Sequence, residues 1–349
     1  MKRAILWMLA LVVLGGLAFA AFRLWDERRY STAPFGEGER TVVIAPGSGP
    51  RAIAQALAQG GAISDAKRFL VHLRWFRRGQ VMKAGEYQFD GPVTPDEVID
   101  KLVRAEVKLY RFTVPEGLRI DEIAPLIGAT GLCDADKFLA LARDPQIARK
   151  LGVPGNSLEG YLFPDTDSMP RTQGCAGVAQ AMVARFRAAW EQANAQRAPE
   201  VKLNQQQAVT LASIIEKETS RPEERAHVSC VYLNRVKKNW RLGADPTVIY
   251  ATLLAQDFQW DGKIHKSDLQ RDHPYNTYVK FGLPPGPIAS PGAASLAAAL
   301  RPIACNDYFF DSKNDHTHVF CPDAACHERN VQKWQVEFFR KGKRGGGGG

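Results

Sequence analysis

The chain opens on its longest apolar run. After Met1, Lys2 and Arg3, residues 4–22 (AILWMLALVVLGGLAFAAF) contain no charge. About 20 apolar residues span a bilayer, whereas the apolar part of a cleavable signal is about 7 to 15 long, so residues 1–25 read as an uncleaved anchor. The rival reading is a signal cut after Ala18-Phe19-Ala20. Flanking charges are mixed, with Lys2 and Arg3 before the run and Arg23, Arg28 and Arg29 after it. A short N-terminal anchor followed by a long soluble remainder is the design of an exported, tethered protein, which places the body outside the cytoplasm.

Residues 26–40 (DERRYSTAPFGEGER) are polar, carry Pro and Gly, and read as a linker. From Thr41 the pattern becomes periodic. TVVIAPGSG predicts a strand and turn, and PRAIAQALAQGG a helix with Ile53, Ala54 and Leu57 on one face. The same order returns: Ile44, Gly47, Ile53, Ala54, Leu57 and Gly61 correspond to Val114, Gly117, Ile123, Ala124, Ile127 and Gly131, an internal duplication of a strand-turn-helix unit. Between the copies AGEYQFDG alternates as a strand does. VTPDEVIDKLV follows with Thr94 as N-cap, Pro95 at the first helical position and acidic residues in the first turn. Small α+β modules at 41–108 and from 109 fit this pattern. Residues 157–170 (SLEGYLFPDTDSMP) are aromatic, broken by Pro164 and Pro170, and lie in a connecting stretch that extends with a long helical run to 200. Residues 201–340 form the last and largest unit, and 341–349 a flexible tail. The fold class is α+β with an N-terminal transmembrane anchor.

Composition sharpens this picture. A chain of 349 residues that is 45% hydrophobic is too apolar to be disordered, and its net charge of +9 suits an anionic environment: nucleic acid, phospholipid headgroups or a polyanionic wall polymer. Export makes nucleic acid an unsuitable partner. Six cysteines, at 133, 175, 230, 305, 321 and 326, are compatible with an oxidising compartment, and their spacing leaves the pairing open.

The candidate chemistry lies in LASIIEKETS, residues 211–220. On a wheel turning about 100° per residue, Glu218 falls inside the stripe formed by Ala208, Leu211, Ile214 and Ile215, while Glu216 falls on its flank. A carboxyl group on an apolar face is raised in pKa, is paired, or lines a cleft, and a raised pKa is what a general acid needs near neutrality. The bland alternative pairs Glu218 with an arginine of the following RPEER segment, anchoring a helix end. Downstream, RLGADPTVIY (241–250), DHPYNTYVKFGLPPGPIASPG (272–292) and HTHVF (316–320) combine aromatic, Gly, Pro and Asn residues of the kind that line a carbohydrate groove.

These segments resemble the YceG-like endolytic murein transglycosylases. The resemblance covers nearly the whole chain: the anchor, a LysM-like module, LEGYLFPDT (158–166), ASIIEKET (212–219), RLGADPTVIY, YNTY (275–278), GLPPGPIASPG (282–292), and His318 followed by His327. The helix from Ser213 to Thr219 is also similar, more weakly, to that of goose-lysozyme-like lytic transglycosylases, whose last glutamate is catalytic and corresponds to Glu218. The resemblance implies a lysozyme-like catalytic helix and cleavage of the β-1,4 bond between N-acetylmuramic acid and N-acetylglucosamine inside nascent glycan strands. It also implies 1,6-anhydro ends, a role in terminating strand elongation, and proximity to penicillin-binding synthases at the inner membrane, with the catalytic domain in the periplasm. One glutamate suffices for this reaction, and no cofactor is called for.

Alongside Glu218 as catalytic residue, the substrate-binding candidates are Glu159, Arg241, Asp245, Tyr275, Asn276, Thr277 and Tyr278. Each has an ordinary alternative: surface carboxylate or charge for Glu159 and Arg241, helix cap for Asp245, core packing for the YNTY residues. HTHVFCPDAACHERN departs from the family pattern in its cysteines. His316, His318, Cys321, Cys326 and His327 are zinc-ligand types in irregular spacing, so a disulfide from Cys321 to Cys326 or Cys305 is expected there and a metal is not. Two rival functions are a non-catalytic wall-binding tether and a muramidase that uses water, with Asp245 or Glu159 as base.

Overall fold

Helix α1 (Lys2–Thr32) leads the computed structural model, which describes residues 2–255, 261–338 and 340. Ile5–Thr32 has a mean hydropathy of 2.5 in its most apolar window, none of which is buried, and 28 helical residues are enough to cross a membrane. The helix does not stop where the polar residues begin. Glu27, Tyr30 and Ser31 recur at helical spacing and are buried, so the first part of the expected linker 26–40 is packed helix. Its polar composition concealed this because the buried contact is itself polar: Glu27 Oε1 lies 2.9 Å from His72 Nδ1, and Asp96 closes the other ring nitrogen at 2.9 Å.

The described chain divides into two compact units, one running to Tyr110 with Ser168–Thr172 added, the other holding Arg111–Asp167 and everything from Gln173. In the first, β1 (Arg40–Ile44) leads into α2 (Pro50–Gln59) and α3 (Ala66–Phe76), then β2 (Gly85–Phe89) and α4 (Pro95–Arg104). β1 and β2 pair antiparallel, Val42 opposite Tyr87. Alternation puts Val42 and Ile44 in the core and leaves Val43 exposed. The stripe Ile53, Ala54, Leu57 packs inward as its spacing requires, and α4 starts on a capping box in which Thr94 Oγ1 accepts from Glu97 N.

Strand β3 (Tyr110–Thr113) begins the second copy of this pattern, followed by α5 (Ile120–Ala129), α6 (Ala135–Arg143), α7 (Pro145–Lys150) and β4 (Thr166–Met169). β3 pairs with β4, and the Thr113 and Thr166 hydroxyls meet at 2.9 Å. The duplication is conformational as well as sequential. Gly47 and Gly117 both sit at φ 77°, Gly61 and Gly131 at 69° and 72°, left-handed values that a side chain would strain. Ile44 and Val114, Ile53 and Ile123, and Leu57 and Ile127 are all buried.

The remainder is helical around α9. α8 (Gly174–Ala195), α9 (Gln205–Glu218), α10 (Pro222–Lys237), α11 (Asp245–Leu254), α12 (Lys266–Gln270) and α13 (Ala293–Leu300) precede a hairpin of β5 (Phe309–Ser312) and β6 (His318–Cys321), and α14 (Ala324–Val331) runs on into a π-helical stretch, Gln332–Glu337. α9 packs against α10, α11 and α13, with residues 208–215 all buried. The segments expected separately as 109–200 and 201–340 thus belong almost entirely to one compact unit. Disulfides join Cys133 to Cys175, Cys230 to Cys305 and Cys321 to Cys326. The expected flexible tail, 341–349, lies outside the described residues.

Candidate active site

Asn204 caps α9 by accepting from Gln207 N, and eight successive buried residues then carry the helix to its last turn. There the two glutamates part company. The Glu216 side chain is 6% exposed, its Oε1 3.1 Å from Arg225 Nη2 and its Oε2 accepting from Gly292 N at 3.0 Å. The arginine contact that threatened to make Glu218 structural falls instead to Glu216, from the RPEER arginine itself. Glu218, the final residue of α9, is partly exposed and lines a cleft of about 490 Å³.

Helices α10, α11 and α14 and the β5–β6 hairpin build the rest of that cleft. α10 contributes Tyr232 and Arg235, one turn apart. The Tyr232 hydroxyl donates to Glu218 Oε1 at 2.5 Å. Arg235 is held by carbonyl oxygens, Nε donating to Tyr308 at 2.6 Å and Nη1 to Leu242. The start of α11 brings Asp245, whose Oδ1 accepts from the Tyr278 hydroxyl at 2.6 Å. The β5–β6 hairpin and α14 supply Phe309, Phe310, Asp311, Ser312, His318 and His327. His318 is aimed by Glu224, which accepts from its Nδ1 at 2.7 Å and its backbone N at 2.9 Å, while the Thr219 hydroxyl donates to Glu224 at 3.2 Å. One carboxylate therefore ties the end of the Glu218 helix to the opposite wall. His327 stacks on Phe309 with ring centroids 5.1 Å apart.

The electrostatics bring the Glu218 pKa close to neutrality. Burial raises its pKa to about 7; the Tyr232 hydrogen bond pulls down, the Asp245 charge pushes up, and Arg235 pulls down again. A carboxyl group poised near neutrality, bonded to a phenol and facing an aromatic-walled cleft, has the properties of a general acid.

Of the other sequence candidates, Asp245 and Tyr278 line this cleft and the rest do not. Asn276 is fully buried, its amide donating to the carbonyls of Asp268, Leu269 and Arg271. Thr277 is also buried; its Oγ1 accepts from Ala244 N at 2.9 Å and its carbonyl from Gly243 N at 3.1 Å, so it fixes the loop that presents Asp245. The Tyr275 ring packs 4.9 Å from Tyr250 and away from Glu218. In YNTY the polar pair thus satisfies backbone groups, and of the two aromatics Tyr278 faces the cleft. Arg241 is exposed, stacked 4.9 Å over Phe281, outside the cleft lining.

Glu159 departs furthest from its expected place on the cleft wall. It is 4% exposed, faces Ile120 N at the start of α5 at 3.3 Å and accepts from the Tyr250 hydroxyl at 3.2 Å. Burial, reinforced by Asp121, raises its pKa to about 8, so it serves as a neutral interior carboxyl. Sequence reasoning missed Tyr232, Arg235, Asp311 and the aromatic pair of β5. The available signal was the tyrosine and arginine one turn apart in VYLNR, on the helix after the glutamate.

The zinc-type residues resolve differently. Cys321 and Cys326 are bonded to each other, which removes both thiolates from that set. His227, Cys305 and Asp307 also lie within 4.8 Å of one another, but the Cys305 sulfur is bonded to Cys230, and His227 pairs with Asp307 at 2.7 Å beneath Phe320.

Comparison with known proteins then places the chain. A model of the YceG-like family matches residues 42–333. The chain belongs to this family. Among its YceG-like relatives is an endolytic murein transglycosylase of Bacillus subtilis, 29% identical over 308 residues covering 83% of each protein. Another endolytic murein transglycosylase, from Streptococcus pneumoniae, is 25% identical over 328 residues, 83% of this chain and 57% of that longer protein. The crystal structure of a putative yceG-like protein from Listeria monocytogenes matches at 27% identity with a TM-score of 0.55, covering 83% of this chain and 98% of that one. In this YceG-like chain the matched region contains every residue of the cleft.

Proposed function

We propose that this protein is an endolytic murein transglycosylase that cuts the β-1,4 bond between N-acetylmuramic acid and N-acetylglucosamine and leaves 1,6-anhydro ends, with Glu218 as its catalytic residue. The relatives' activity supports the reaction class, and the raised pKa of a cleft-facing Glu218 supports its role. Glu218 protonates the glycosidic oxygen as the bond to muramic acid C1 breaks. The carboxylate so formed then takes the proton from the C6 hydroxyl as that oxygen attacks C1. The proton returns to Glu218 and no water is consumed. Phe309 and Phe310 offer faces for sugar rings, and Asp245 with Tyr278 offers polar edges.

The order β1-α2-α3-β2 supports reading residues 41–108 as a LysM-like wall-binding module, and the terminal glutamate of α9 supports a lysozyme-like catalytic helix. We place α1 in the inner membrane and the cleft in the periplasm, where three disulfides are at home and where penicillin-binding synthases would deliver nascent strands.

Asp245 and Asp311 in the same cleft favour one second reading, a muramidase in which a carboxylate activates water. Digestion of peptidoglycan by the full chain, followed by mass analysis of the released muropeptides, separates the two. Anhydromuramyl ends, 18 mass units (about one water) lighter than reducing ends, are expected; reducing muramic acid ends would replace this proposal by the muramidase.

A further inference from the structure

The first unit carries an exposed basic and aromatic surface that neither the cleft nor the core uses. It lies at the end of α3 and in the turn after it. Trp75 is 73% exposed, Val81 73%, Phe76 49% and Val71 38%, and Arg74 and Arg78 are exposed among them. Arg77 is engaged by Asp96 and Asp100, whereas no ion pair among the described residues holds Arg74 or Arg78.

The position of this surface follows from how α3 packs on α1. Tyr30 donates to the Asp65 carbonyl at 3.4 Å, at the start of α3. Arg68 bonds Asp26 at 3.0 Å, and His72 bonds Glu27 at 2.9 Å. Tyr30 also meets Arg68 and His72, so α3 crosses α1 between Asp26 and Tyr30, just past the apolar stretch. One more turn, about 5 Å of rise, takes Trp75 and Phe76 beyond this crossing, which itself lies within a few residues of Phe22 to Trp25, where the apolar run ends and Arg23 and Arg28 begin. Those two arginines are likewise unpaired among the described residues, and Phe22 and Trp25 are 57% and 58% exposed.

We infer that the end of α3 and the turn at 77–81 rest on the surface of an anionic bilayer, clamping the first unit against the membrane that α1 enters. Trp75 lies at headgroup depth and the Arg74 and Arg78 guanidiniums reach phosphates. Tryptophan beside arginine is the combination that an interface selects, half apolar and half polar with fixed positive charge. The inference rests on α1 crossing the membrane.

The test uses the full chain in lipid nanodiscs, one set of neutral phosphatidylcholine, the other with phosphatidylglycerol added, and follows amide hydrogen exchange. Residues 76–82 are expected to exchange at least about fivefold more slowly in anionic discs, the effect of one arginine at a charged surface. Arg74→Gln with Arg78→Gln should abolish the difference, and Trp75→Ser should reduce it, while exchange in α2 stays the same. Equal exchange in both discs overturns the inference and leaves the anchor intact. Slowing that appears only on addition of soluble glycan strands would also overturn it, since the surface would then belong to the wall. A chain that fails to enter discs at all would overturn the anchor and this placement together, leaving the chemistry of Glu218 untouched.

Discussion

Glu216 and Glu218 are two residues apart, and exchanging each for glutamine should give opposite results. In Glu218→Gln the acid is lost while shape is kept, so turnover should fall by at least about 10²-fold. The fold should not suffer. The Glu218 pKa rises from an ordinary 4.5 to about 7 in the folded state, so the folded protein holds a proton that the unfolded chain has released between those values. The stability associated with that proton is complete below about pH 4.5 and is lost as pH climbs through about 7, a difference of up to about 3 kcal/mol. Glutamine has no proton to lose, so relative to wild type the variant should gain stability between pH 5 and 8. Glu216→Gln leaves Arg225, 9% exposed at its side chain, without its buried partner at 3.1 Å. Breaking such a pair costs about 3 kcal/mol, with turnover per folded molecule kept within tenfold. Denaturant unfolding at both pH values and release of anhydro ends measure the two effects. Loss of turnover in Glu216→Gln at unchanged stability, or a Glu218→Gln variant that still cuts, would refute the assignment.

The alkaline limb of the activity profile should follow the Glu218 proton and be movable in both directions. Asp245→Asn removes a charge that raises the Glu218 pKa and should shift the limb in kcat/KM to lower pH, whereas Tyr232→Phe removes a hydrogen bond that lowers it and should shift the limb upward. Glu159→Gln should keep near-normal turnover and gain stability relative to wild type as pH rises from about 4.5 to about 8, the range over which the wild-type fold loses the stability linked to that buried proton. Exchange of Cys230 and Cys305 for serine removes a link spanning 75 residues and should lower stability by about 4 kcal/mol, against about 2 for Cys321 and Cys326, which are five apart; chemical denaturation reads both.

What could be seen in the sequence was whatever a period or a turn encodes locally. The helix of Glu218 declared itself because Ala208, Leu211, Ile214 and Ile215 form a stripe that the glutamate interrupts, and the duplication showed through Gly47 and Gly117, where the turn demands a left-handed residue. The apolar N-terminal helix was plain in its first 22 residues, yet its extension to Thr32 was hidden, since burial there depends on His72 from 45 positions away. The same limit governs the site. Whether Glu159 faces sugar or core depends on Ile120 and Tyr250, 39 and 91 positions distant, and no pattern around Glu159 carries that information. Glu218 was legible as a candidate because its own helix fixes where it stands. Its place on the apolar side of α9 is set by its own helix, whereas the burial that raises its pKa and the adjustment by Tyr232, Asp245 and Arg235 come from the elements packed around it. The position of this carboxyl is thus a local property of α9, while its proton and its cleft are tertiary ones.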